Sequence, residues 1–289
     1  MRVLIVELQR IFKKNPKGIL AVLALDILEI VFLSSNPLVI GLCIDSFFER
    51  DYLWLCVLII LQVAFILVCV TNKVLDTRVY EKIIEEKSNT YYERAIRTNT
   101  SNSKITSRLD LVIQVSSFFD DCLVQLIDIA VGTLFSLGYL FCMTEWPLFL
   151  AVLLTSILVL AFTQRFRRQI IRNNKQLQDI DEEKADVISS RKKVHYRMFA
   201  KRNRDLRVLH SDLDAKLYLI IDVMQAGLLI FAIVYLFHVG SYSSGQVFSS
   251  VTYIVMLNEN ICAFNENIIE IAELIDSVIR LNSETDEIP

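Results

Sequence analysis

Glycine and proline are scarce, with 7 and 4 among 289 residues. Neither occurs between Cys43 and Val131, nor between Leu148 and Ala226. These residues end helices and open tight turns, so their absence excludes a fold of many short strands and leaves helical patterning free to run. Histidine is also sparse. His195, His210 and His238 stand alone, and no His-Glu-x-x-His pair exists. His210, Asp212 and Asp214 lack the companions of a closed zinc set, and a solvated helix face explains them at lower cost. The 6 cysteines (Cys43, Cys56, Cys69, Cys122, Cys142 and Cys262) lie in or beside apolar blocks without metal-site spacing. They read as small apolar residues in helix or lipid contacts. No serine stands in a Gly-x-Ser-x-Gly elbow. The expectation is therefore a chain with no catalytic residues, no metal and no cofactor, that is, not an enzyme by itself.

What the sequence has is apolar length. Hydrophobic residues make up 54%, and mean hydropathy is +0.45. Tyr52 to Val70 runs without a charge and with Gln62 as its one strongly polar side chain, enough to cross about 30 Å of hydrocarbon. Six such spans are expected, at 18–44, 52–76, 118–143, 147–166, 217–239 and 247–267. Before them, Leu4, Ile5, Leu8, Ile11 and Phe12 recur at helical spacing among charged residues, which predicts an interfacial helix over 1–17. That segment lacks the apolar core of a cleavable signal. A short acidic tail at 282–289, with Glu284, Asp286 and Glu287, follows the membrane domain expected over 18–281.

Charge sets the expected orientation. The links 46–51, 144–146 and 240–245 hold one basic residue, Arg50. The opposite links carry Lys13, Lys14 and Lys17, then clusters from Arg165 to Arg172 and from Arg191 to Arg207. The positive-inside bias places both termini in the cytoplasm of a plasma membrane, bacterial inner membrane by this reading. The same bias accounts for the basic residues without nucleic acid as a partner. Helical patterning also outruns the membrane. A helix over 52–97 would be roughly 69 Å long, so on the order of 35–40 Å would project beyond the bilayer. The fold class predicted is thus all-α: six transmembrane helices with two long cytoplasmic helical hairpins, turning near 98–107 and 188–195. Tyr80, Ile83 and Ile84 continue an apolar seam along the first hairpin, which calls for a partner's hairpin to cover it.

Several stretches resemble one family. Pro37, Gly41 and Asp45 are similar to the end of the first span of ABC exporter membrane domains, of type I or type IV. Ser107-Arg108-Leu109 with Val112, then Phe118-Phe119, resembles the segment leaving that family's first cytoplasmic turn. Gly245-Gln246-Val247 with Tyr253, and Val278-Ile279-Arg280-Leu281, resemble the start and exit of its sixth span. Each motif is weak, and their order carries the likeness over nearly the whole chain. The resemblance implies a transport subunit that dimerises, with itself or with a similar half, and takes force from an ATPase. Exporter chains usually continue into a nucleotide-binding domain, and this sequence stops at Pro289. Its one Gly pair at phosphate-loop spacing, Gly240 and Gly245, is followed by Gln246 and Val247 where Lys and a hydroxyl are needed. A separately encoded ATPase is therefore expected. The alternative is an accessory, regulatory or scaffold membrane protein that keeps the exporter fold without the motor.

Two sets of candidate site residues follow. Arg191, Lys192 and Lys193, with Ser189 and Ser190, offer charge and hydrogen-bond donors at a hairpin tip where a cytoplasmic protein would dock. The other set is acidic and amide-rich. Asp26 and Glu29 lie in the first span, and Asn258, Glu259 and Glu266 in the sixth. Glu259, Glu266 and Glu273 repeat every seven residues and share a face with Glu270. Counted from Val247, Glu259 is about 18 Å into the membrane. Acids at that depth cost several kcal/mol unless they face water, pair or take a proton, and Lys73 is the obvious basic partner. A wet, negatively biased path for a cationic or polar solute is the expectation.

Overall fold

The computed structural model describes residues 15–48, 50–97, 102–189 and 191–283, and the regular elements among them are all α-helices. They are α1 (Pro16–Phe48), α2 (Leu53–Arg97), α3 (Asn102–Met143), α4 (Trp146–Ser189), α5 (Lys193–Val239) and α6 (Ser244–Ser283). Residues 1–14 and 98–101, Ser190 and the acids Glu284, Asp286 and Glu287 lie outside the described residues.

Each of the six helices contains a stretch long and apolar enough to cross a membrane. Helices α2, α3, α4 and α5 have 45, 42, 44 and 47 residues, about twice the ~20 a crossing needs. The scarcity of breakers permits this length. The most apolar part of α2 has none of its residues buried within the chain, and side chains such as Ile60 and Leu67 are exposed. Pro37 stands inside α1, a tolerated position where neighbouring helices supply hydrogen bonds.

The short links are built by local chemistry. Arg50 takes a left-handed backbone (φ 59°), and the Asp51 carboxylate accepts from the Leu53 N–H at 3.0 Å, capping α2. Gly240 ends α5 with φ 63°, the left-handed cap for which glycine is suited.

The chain divides into two compact units, 1–143 with 241–289, and 144–240. In the first, α1 packs against α2, α3 and α6, and α3 against α2 and α6. Val22, Leu140, Tyr253, Ile254 and Leu257 form its deepest core. The second is the α4–α5 pair. Leu148, Val152 and Val159 of α4, and Leu228, Ala232 and Leu236 of α5, are buried at the spacings of one helix face. At the short-link end the Tyr235 hydroxyl donates to Glu145 at 2.8 Å.

One expectation is corrected here. Tyr80 and Ile83 are buried within the single chain, so the seam along α2 does not require a partner's hairpin to cover it.

Candidate functional site

A cavity of about 530 Å³ opens between α1, α2 and α3 in the first unit. Asp26 and Glu29 reach it from α1, Asn72, Lys73 and Asp76 from α2, and Gln125 and Asp128 from α3. Helical geometry explains the grouping: Asp26 and Glu29 are three apart, Asn72 and Asp76 four apart, so each pair shares a face. Asn72 joins the first two helices. Its amide donates to Asp26 at 2.6 Å and to Glu29 at 3.1 Å. Further along the same pair of helices Gln62, the lone polar residue of its apolar run, donates to Asn36 at 3.0 Å. Asp26 and Asn72 are only 6% and 7% exposed, yet Asp26 Oδ2 and Asn72 Oδ1 have no hydrogen-bond partner. Buried polar atoms are normally paired, so two adjacent unpaired acceptors on a cavity wall mark a place for a donor. Four carboxylates and one ammonium line the space. Among the described residues no salt bridge joins Lys73 to any of these acids.

Depth follows from the hairpin. Asp26 stands 22 residues before Phe48, and Asn72 stands 19 after Leu53. At 1.5 Å per residue both lie about 30 Å from the short link, near the far boundary of the hydrocarbon core. Counted from the short-link end, the paired hairpin places Asp26 and Glu29 roughly 10 Å beyond Glu259.

Among its described side chains, the sixth helix buries two amides and exposes two acids. Asn260 and Asn267 are buried, whereas Glu259 and Glu266 are exposed and do not line the cavity. Asn258 is half-buried and also lies apart from it. Asn267 accepts from the Cys122 thiol at 3.5 Å and donates to the Ala263 carbonyl at 2.9 Å. Gly132 of α3 allows close approach, since a methyl there would meet the Asn260 amide at 2.7 Å. The structure therefore brings Asp26 and Glu29 together and leaves Glu259, Asn258 and Glu266 elsewhere. Asn72, Asp76, Gln125 and Asp128 are polar cavity residues the sequence reading did not single out; their signal was polar residues spaced three or four apart within or beside an apolar run.

Two of the stretches that carried the family likeness meet each other, the end of α1 and the start of α6. Asp45 of α1 accepts from the Ser243 hydroxyl at 2.6 Å and from the Gly245 N–H at 2.7 Å, holding the first turn of α6. A carboxylate there complements the orphan amides and positive end of the helix dipole. Gly41 and Gly245 are face to face: a side chain on either would strike the other's backbone. One turn further in, the Ser249 hydroxyl donates to the Pro37 carbonyl at 2.7 Å, and the Tyr253 hydroxyl to the Ser34 carbonyl at 3.0 Å. Tyr253 also stacks on Tyr139 of α3, with centroids 4.6 Å apart.

In the second unit, the α4–α5 turn is exposed from Arg191 to Lys193, as is Ser189 at the end of α4. Arg191 is left-handed (φ 51°), and its N–H donates to the Ile188 carbonyl at 3.2 Å. A second cavity of about 590 Å³ lies beside this turn, lined by Ile188, Tyr196, Phe199, Arg204 and Arg207 among others. Lower on α5, His210 pairs with Asp214 at 3.3 Å, and Asp212 is exposed. No group of three metal-binding side chains gathers among the described residues.

Among the described residues, six helices long and apolar enough to cross a membrane, the first tied to the last, are those of an all-helical integral membrane protein. Residues 8–245 match the family described as ABC transporter transmembrane region, and the chain belongs to that family. No curated protein matches the sequence.

Proposed function

We propose that this chain is the membrane subunit of an ABC-type transporter, working as a dimer of similar halves and driven by a separately encoded ATPase. The family match over 8–245 carries this reading. Both termini lie in the cytoplasm of the bacterial inner membrane, as the basic links favour. The exposed turn at Ser189, Arg191, Lys192 and Lys193 is the docking element, because it ends a lever of 44- and 47-residue helices. The cargo is a polar or cationic solute, as the acid-lined cavity favours.

Native mass spectrometry of the chain purified from its own membranes in mild detergent tests the assembly. The expected particle contains two membrane halves and an ATPase with a phosphate-binding loop. A particle of this chain alone, unaffected by ATP, overturns the reading and favours an accessory or scaffold protein.

A further inference from the structure

The geometry points to the cavity between α1, α2 and α3 as a binding site for an organic cation that carries N–H donors, a primary ammonium or a guanidinium. Three observations converge on that chemistry. The lining charge is negative, with Asp26, Glu29, Asp76 and Asp128 against Lys73. The two unpaired atoms, Asp26 Oδ2 and Asn72 Oδ1, are both acceptors on side chains more than nine-tenths buried. A ligand that satisfies them must donate hydrogen bonds, which a quaternary ammonium cannot do. No three metal-binding side chains come together among the described residues, which turns the choice from a bare metal ion to a molecular cation. The volume of about 530 Å³ lies within the 300–1,000 Å³ usual for small-molecule sites, larger than one ion needs.

The polar contacts already present fix the site's form. The Asn72 amide spends its donors on Asp26 and Glu29, which orients its oxygen as an acceptor and holds one oxygen of each acid. Asp26 Oδ2 and Asn72 Oδ1 stay available. Lys73 is exposed at the cavity and unpaired with these acids, so it repels an incoming cation and limits affinity. Asp128 faces from α3 and completes the negative wall.

That this ligand is the cargo rests on the transport reading above; whether the site exists does not require an ATPase. Calorimetric titration of the purified full chain in nanodiscs, with no ATPase present, therefore tests the site alone. Putrescine is the probe, with tetraethylammonium as the cation lacking N–H donors. Putrescine is expected to bind at least about tenfold more tightly. Asp128→Asn should weaken putrescine binding about fivefold or more, and Lys73→Gln should strengthen it roughly threefold. The second variant changes an exposed side chain and predicts a gain, which a misfolded protein cannot mimic. No putrescine binding, equal affinity for tetraethylammonium, or affinity unmoved by both substitutions overturns the inference.

Discussion

Single atoms decide whether the first and last helices can meet. Gly41 and Gly245 leave no room for a methyl, whereas Gly138 has nothing within 4 Å. Gly245→Ala should cost about 1–3 kcal/mol by overpacking, a fall of several degrees in the thermal unfolding midpoint. Gly138→Ala should leave that midpoint unchanged or slightly raised, because alanine suits a helix interior better than glycine. Equal effects of the two substitutions, measured in the same detergent, would remove close packing as the reason for these glycines. The sequence showed Gly41, Asp45 and Gly245 as family-like residues, but not that they touch. Their contact depends on two helices some 200 positions apart, and nothing local encodes it. The same limit applies to Glu259. Heptad spacing puts Glu259 and Glu266 on one face, yet spacing along one helix does not say which face its neighbours cover. The buried face carries Asn260 and Asn267, one residue further round.

At the level of elements, the existence and extent of the six helices were legible, because apolar length and the lack of breakers act locally. The short links expected at 46–51, 144–146 and 240–245 fall at the breaks after Phe48, Met143 and Val239, although the first helix runs on to Phe48. Depth was not, because counting from each helix's own start ignores where its partner turns. The α1–α6 seam is the element contact most open to test. Asp45→Ala removes the acceptor for Ser243 and Gly245, and should cost about 0.5–2 kcal/mol as loss of a helix cap. Tyr253→Phe removes the hydroxyl donated to Ser34 and should cost about 1 kcal/mol. The two act on one interface, so in a double-mutant cycle their effects should fall short of simple addition. Strict additivity in thermal unfolding would mean that the hydrogen bonds do not belong to one cooperative seam.

For the whole molecule, orientation and coupling are the properties that matter. In intact cells, a membrane-impermeant maleimide should label Arg50→Cys and spare Lys192→Cys until the membrane is opened; the reverse pattern would invert the proposed topology. None of the 6 native cysteines is held in a disulfide, so they are replaced first, with Cys122 changed to Ala because it is buried. That background also serves the central claim, that an ATPase moves this membrane subunit. Spin labels at position 192 of the two halves report their separation by pulsed electron paramagnetic resonance in the purified complex. If the turn after α4 receives force from the motor, the distance distribution shifts when ATP binds and returns after hydrolysis. A complex in which that distribution is identical with ATP, with ADP and without nucleotide would contradict the account.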